Sequence, residues 1–384
     1  MRRLLSVALA MGLSATMSDA SPPPLPPGAS AERLAPTELR GWQDDDHRIV
    51  FGLFAQGCQA EPPLRSGVAI PAQLQRACDA AARLASAGPV DRAAARRFFE
   101  EHFAFWRIRP GQTGDGFMTG YFEPEFDGSL TRSETYPTPL YGRPADLVTL
   151  QPGDARGGLD PDLSAARRTA RGLEPYPDRS AIESGALEGQ NLEILWMRDP
   201  VDRFVLQVQG SGRIRLPDGT VTRVVYAGRN GHAYTSLGRV LSQRENIPPA
   251  QMTMDRLVAR LKADPAFARD LIRQNRSFVF FARRDDLPAG SGPIGGAGLA
   301  LTPLRSIAVD RTVWPYGVPA WIDGHLPDGR GGEETFRRLT IAQDTGSAIL
   351  GPARIDLFVG SGEAAGYRAG LIRHSFAFTV LWPR

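Results

Sequence analysis

A mainly β protein with peripheral helices, divided into two domains, is the fold class this sequence predicts. Three observations predict it. Glycine (41) and proline (32) are frequent enough among 384 residues to break the chain into short segments. From Phe117 onward, brief apolar runs alternate with turn residues. The length is sufficient for more than one buried core.

The elements follow in chain order. Arg2 and Arg3 precede the apolar stretch Leu4 to Leu13, and Ser18-Asp19-Ala20 supplies small residues where a signal peptidase cuts. Residues 1–20 therefore read as an export signal, too short to span a bilayer comfortably. Residues 21–40 are proline-rich and read as a spacer. Asp44-Asp45-Asp46-His47 reads as a solvated loop or helix cap, because no second histidine follows at ligand spacing. Cys58 and Cys78 are the only cysteines, and in an oxidising compartment they are expected to pair.

Asp91 to Trp106 carries Ala95, Phe99, His102, Phe103 and Trp106 at helical spacing, with His102 expected as a packed core residue. Strand-like text begins at Phe117. Phe204 to Gln209 has a period of two and leads through Gly210-Ser211-Gly212 into Arg213 to Leu216. Pro217 to Thr220 is a turn and Val221 to Tyr226 returns, which predicts a β-hairpin. Helices are expected near 236–244 and 255–274, then a strand at 277–281 and a Gly/Pro-rich break at 288–298. Strands are predicted at 306–310, 318–322, 337–343, 354–359 and 375–382, with a small helix at 363–372.

Composition narrows function before any motif does. Apolar residues make up 42% and charged residues 23%, as in an ordinary soluble globular protein. The formal charge is only +3 and Lys262 is the sole lysine, so no electrostatic case for nucleic acid exists.

Three aspartates carry the chemistry. Asp310 closes the apolar run 306–309, and Asp344 and Asp356 stand twelve residues apart in a tract rich in small and turn-forming residues. Carboxylates gathered at strand ends can crowd, and crowding keeps one acid protonated near neutral pH. Such an acid is what protonation of a glycosidic oxygen requires. Asp344-Thr345-Gly346-Ser347 also matches the aspartic-protease signature, but that chemistry needs two such motifs and the chain has one.

The ordered set of motifs resembles a known family. It comprises Thr119-Gly120-Tyr121-Phe122, Tyr136 to Tyr141, Gln207-Val208-Gln209-Gly210-Ser211-Gly212, Tyr226 to Tyr234, and Asn275 to Phe281. It continues with Ala308-Val309-Asp310-Arg311, Pro315 to Pro319, the Asp344 tract, and Ile355-Asp356-Leu357-Phe358 with Gly360-Ser361-Gly362. From about residue 115 to the end, the chain resembles the membrane-bound lytic murein transglycosylase A family.

The resemblance implies a double-psi β-barrel domain (41–124 and 287–384, its three-aspartate part about 294–384) and an inserted β domain (125–286), with a glycan groove between them. It implies non-hydrolytic cleavage of the bond between N-acetylmuramic acid and N-acetylglucosamine in peptidoglycan, leaving a 1,6-anhydro ring. By motif position Asp356 is the catalytic acid, with Asp344 and Asp310 beside it. Thr119, Tyr121, Gln209, Gly210 and Ser211 are the expected substrate contacts, and His232 is expected to hydrogen bond within its domain. No cofactor and no metal are expected. The expected partner is the peptidoglycan glycan strand, with cell-wall synthesis proteins as further candidates, and the expected state is a monomer. Lacking a lipidated cysteine near the cleavage site, the chain is expected in the periplasm or at the outer membrane. The rival readings are a cell-wall glycan binder without activity and, more distantly, an aspartic protease.

Overall fold

The computed structural model describes residues 21–60, 68, 71–111, 114–151, 153–287, 291–346 and 348–384. The expected export signal, residues 1–20, lies outside them, as does Ser347.

Three strands open the chain: β1 (Ser30–Leu34), β2 (Phe103–Arg109) and β3 (Gly116–Glu123). The middle of the chain supplies β4 (Glu125–Ser129), β5 (Thr138–Tyr141), β6 (Leu147–Thr149), β7 (Ala165–Thr169), β8 (Gly172–Glu174), β9 (Glu193–Met197), β10 (Ser211–Arg215), β11 (Val221–Arg229) and β12 (Val279–Arg283). The last part supplies β13 (Ser306–Val309), β14 (Pro319–Pro327), β15 (Glu333–Asp344), β16 (Arg354–Ser361) and β17 (Arg373–Pro383).

The first sheet runs β1-β2-β17-β14-β15-β13-β16-β3. It closes because β17 is long enough to pair twice along one edge. Arg373–Phe376 pair with β3, and Phe378–Pro383 pair with β2. The result is a closed barrel of β3, β13, β14, β15, β16 and β17, with β2 and β1 continuing beyond the closure. Its interior is filled by Met118, Ile307, Val309, Ile355, Leu357 and their neighbours, all nearly inaccessible to solvent. A second β domain follows, with strand order β12-β11-β10-β4-β9-β5 and a small sheet β6-β7-β8. A mainly β fold with a barrel and a second β domain is thus what the resemblance implied.

Several local expectations are corrected. Phe204–Gln209 is not a strand; it is the end of a helix, Pro200–Gln209. Asp199 accepts hydrogen bonds from the backbone N–H of Val201 and Asp202, and Pro200 fits the first helical position. Val201, Phe204 and Val205 then share one face and pack on the helices Leu237–Arg244, Met254–Ala263 and Pro265–Arg273. The hairpin itself survives as β10 and β11.

The helix expected through Trp106 stops at His102, because Phe103–Arg109 pairs on both edges as β2. Ser30–Leu34, within the stretch read as a spacer, pairs with β2 as β1. Helices His47–Cys58 and Ala72–Ser86 were not anticipated. With Arg92–His102 they bury a second core against Phe105, Trp321, Leu339 and Leu381 on the outside of the barrel. Cys58 and Cys78 are disulfide-bonded, Cα–Cα 5.4 Å, which ties the first two of these helices together.

One buried carboxylate joins the two domains. Glu123 ends β3 immediately before the chain crosses into β4, and its side chain is inaccessible. It accepts hydrogen bonds from Arg213 (3.1 Å) on β10, Arg223 (3.3 Å) on β11 and Ser361 (2.7 Å) on β16. A buried charge of this kind persists only because each donor satisfies it.

Replacing both Cys58 and Cys78 by serine is expected to lower stability by about 2–4 kcal/mol, since the bridge closes a loop of twenty residues. Urea unfolding of the two proteins measures it, and the barrel strands should retain their circular dichroism.

Candidate active site

β13 lies between β15 and β16, and one residue of it, Ala308, organises the site. Its register partner on β16 is Asp356, and its partner on β15 is Asp344. Asp356 is in turn opposite Thr119 on β3. Four strands therefore carry Asp344, Ala308, Asp356 and Thr119 in a single row. Side chains in such a row project from the same face of a sheet. The flanking residues Ile307, Val309, Ile355, Leu357 and Met118 fill the barrel, so this row points outward.

Asp344 joins the row through a register shift. Ser306 and Ile307 pair with Ile341 and Ala342, but Ala308 pairs with Asp344, leaving Gln343 over. Without that extra residue Asp344 would stand opposite Val309 and face the barrel interior. Gln343 is buried, and its amide oxygen accepts a hydrogen bond from the Ser306 hydroxyl at 2.6 Å.

Asp356 is the strongest acid candidate. Its carboxyl is pushed up to about 6, and burial is the chief cause. The hydrogen bond from Thr119 (Oγ1 to Oδ1, 2.7 Å) and the charge of Arg354 oppose the rise, while Asp344 adds to it as the smallest influence. Crowding by acidic neighbours, the cause expected from the sequence, is therefore the lesser one. Spacing across two strands puts the two backbones about 10 Å apart, too far for repulsion to lead. Among the described residues no hydrogen bond links the two carboxyl groups, unlike a proton-sharing protease dyad. Oδ2 of Asp356 has no hydrogen-bond partner among the described residues.

Asp344 is held differently. Its carboxylate accepts hydrogen bonds from the Tyr121 hydroxyl (2.7 Å) and from the backbone N–H of Gly296 (2.8 Å) and Thr345 (2.9 Å). Burial still pushes it above the ordinary carboxylate range. Gly296 is required there: a Cβ would sit 2.4 Å from the Tyr316 hydroxyl. Tyr316 itself is pushed up to about 12 by burial and by the charge of Asp344. The Tyr121 ring packs on Phe358, its register partner, at 5.4 Å.

Asp310 plays a different part from the other two. One oxygen accepts from the backbone N–H (2.9 Å) and hydroxyl (2.6 Å) of Thr312, and the other accepts from Gly351 N–H (2.7 Å). It fixes the turn after β13 and the loop that carries the chain from Asp344 to Asp356.

Gln209, Gly210 and Ser211 do not join two stretches of strand. Gln209 ends the helix, Gly210 caps it with φ +81°, and Ser211 begins β10. They lie beside the domain crossing, where Arg213 N–H bonds the Pro124 carbonyl at 2.8 Å. Among the described residues the buried amide oxygen of Gln209 has no hydrogen-bond partner. His232 is buried with Nε2 2.7 Å from the Tyr176 carbonyl oxygen, so it serves the second domain. Asp46 caps the helix His47–Cys58, and Asp45 forms a two-point ion pair with buried Arg305 (2.7 and 2.8 Å). Among the described residues no group of three or more potential metal-ligating side chains occurs.

Arg354 and Phe117 were missed by the sequence reading. The signal was present, because residues two apart on a strand share a face: Arg354 precedes Asp356 by two, and Phe117 precedes Thr119 by two. Phe117 remains 45% exposed beside the site.

Comparison with known proteins places this geometry in a family. The MltA specific insert domain matches residues 117–282, and the 3D domain matches residues 305–382. The membrane-bound lytic murein transglycosylase A of Vibrio cholerae is 32% identical over 266 residues, covering 68% of this chain and 64% of that protein. The Escherichia coli K12 protein of the same name is also 32% identical, covering 67% of this chain and 63% of its own. The chain thus aligns with a little under two-thirds of these curated relatives. The crystal structure of a membrane-bound lytic murein transglycosylase from Agrobacterium tumefaciens superposes with a TM-score of 0.82 at 35% identity, covering 92% of this chain and 98% of that one. That of E. coli MltA with bound chitohexaose gives 0.66 at 26% identity, covering 93% and 94%. With both domain matches in order and a solved relative covered almost end to end, this chain belongs to the membrane-bound lytic murein transglycosylase A family.

Proposed function

We propose that the protein is a lytic transglycosylase of peptidoglycan, cutting the β-1,4 bond between N-acetylmuramic acid and N-acetylglucosamine without water. The observation that carries this reading is Asp356, a carboxyl raised to about 6 on the outer face of the barrel, whose Oδ2 has no hydrogen-bond partner among the described residues. Family membership supports the substrate class, as does the chitohexaose bound in the E. coli relative.

The chemistry fits one acid. Asp356 donates its proton to the glycosidic oxygen as the bond to the muramic C1 breaks. The C6 hydroxyl of the same sugar then closes on C1, its proton passing to the Asp356 carboxylate. A tethered nucleophile needs no second carboxylate to activate water, which a hydrolase requires. Asp344, held by Tyr121 and Gly296, is the group placed to stabilise positive charge on the ring. Asp310 serves by fixing the loop between the other two. Thr119, Tyr121 and the Gln209–Ser211 turn are the proposed glycan contacts. We place the enzyme in the cell envelope, in the periplasm or at the outer membrane. No helix of the described residues is long and apolar enough to cross a membrane.

Asp356→Asn is expected to reduce release of anhydro-muropeptides from purified murein by at least about a hundredfold, with murein binding retained. Mass spectrometry of the products checks it, and ordinary reducing ends carrying solvent oxygen from the unsubstituted enzyme would overturn the reaction type. Wild-type turnover is expected to fall above roughly pH 6, as the acid ionises. Stability carries the same sign. The raised carboxyl favours the folded state below about pH 4, and that contribution is lost as pH rises through about 6. Asp356→Asn should therefore be more stable than wild type by roughly 2–3 kcal/mol at pH 8 and nearly equal to it at pH 4, read from urea midpoints.

A further inference from the structure

We propose that Arg354 is a positioning residue for the second half of this reaction: acting through Thr119, it sustains Asp356 as a carboxylate between giving up its proton and recovering one. The inference rests on the reading of Asp356 as acid and base.

The geometry is a relay on one face of two paired strands. Arg354 and Asp356 face outward from β16, and their partners on β3 are Phe117 and Thr119. The Arg354 guanidinium lies over the Phe117 ring, 5.3 Å from its centroid. Its Nη1 donates to the Ile355 carbonyl oxygen, which anchors it locally. Its Nη2 donates to Thr119 Oγ1 at 2.8 Å, and Thr119 donates onward to Asp356 Oδ1 at 2.7 Å. A hydroxyl has one hydrogen. With a guanidinium N–H occupying one lone pair of Oγ1, that hydrogen is directed at the carboxyl group. Oδ1 then remains an acceptor in both protonation states, and the mobile proton belongs to Oδ2.

Charge adds to orientation. The ionisable groups around Asp356 are few. Arg354 lies on its own strand, Tyr121 on β3, Arg373 on β17 opposite Thr119, and Asp344 on β15, and Tyr316 precedes β14. β13 presents only Ala308 to it, and Asp310 beyond is occupied by Thr312 and Gly351. Arg354 is the cation that acts on Asp356, and Asp344 is the anion. Arg354 is itself partly buried, and burial weakens its hold on its proton while the Asp356 charge strengthens it.

The consequence falls on one step. When C1–O4 breaks, the electron pair goes to O4, which takes the Asp356 proton. The carboxylate then stands in a buried position until C1–O6 forms and the C6 hydroxyl proton returns to it. No proton is gained or lost overall, and no water enters. Burial opposes that intermediate carboxylate, and the Arg354–Thr119 relay offsets burial.

The test uses the full-length chain with Arg354→Gln and Arg354→Lys. Anhydro-muropeptide release from purified murein is followed from pH 4.5 to 8.5, and the Asp356 carboxyl is titrated by carbon-13 NMR. Arg354→Gln is expected to move the alkaline limb of kcat/KM upward by about one pH unit, with the NMR titration moving equally, and Arg354→Lys is expected to restore most of it. An unmoved limb and titration in Arg354→Gln overturn the proposal, even if the rate falls. If Arg354→Gln does not fold, Arg354→Met takes its place: a limb and titration moved upward together support the relay, and an unmoved pair overturns it. Should wild-type protein release no anhydro products, the reading of the activity fails, while the NMR titration still judges Arg354.

Discussion

In the parallel pair of β13 and β15, Ile307 stands opposite Ala342 and Ala308 stands opposite Asp344, with Gln343 left unpaired between them. Much of the site depends on that one surplus residue. Because alternate residues of a strand face opposite ways, a continuous register would deliver Asp344 to the barrel interior. There it would lose Tyr121 and Gly296 and meet a core of Ile, Leu and Val side chains. The surplus residue turns it outward, into line with Asp356. The surroundings are built to hold the irregularity. Gln343 is buried and bonded to Ser306, its carbonyl receives the Ala297 N–H at 2.9 Å, and Gly295 has no Cβ to obstruct the approach.

Two effects compete to set the protonation of Asp356, and their distances decide between them. Repulsion from Asp344 acts across an intervening strand, whereas desolvation acts on the group where it stands. Desolvation leads. Thr119 and Arg354 then limit the rise, so the carboxyl sits between the extremes rather than at one of them. Such a compromise suits the role proposed for Asp356, which releases a proton and then accepts one.

Much of this was legible in the chain itself. The last five strands and the helix Glu363–Leu371 stood close to where apolar runs and turn residues indicated. The aspartate tract, Thr119 and Tyr121 were legible as motifs. The helix Pro200–Gln209 was misread because Phe204, Leu206 and Val208 alternate like a strand; the stronger signal was Asp199-Pro200 at its start. The long pairing of β17 that closes the barrel was not legible, since register between distant strands leaves no local trace. The same holds for the surplus Gln343, which resembles any polar residue in a strand. Nothing local marks Glu123 as buried. Its burial comes from Arg213 and Arg223, ninety and one hundred residues further along.

Ala308 has a last consequence. It separates the strands that carry Asp344 and Asp356, so the span between those two groups is two interstrand steps, a length dictated by peptide hydrogen bonding. No exchange of side chains can stretch or shrink it appreciably. The sheet works as a fixed ruler, and evolution could tune what surrounds each mark while the distance between marks stayed constant. A bulkier residue at this position would leave the ruler intact yet raise a wall between its two ends.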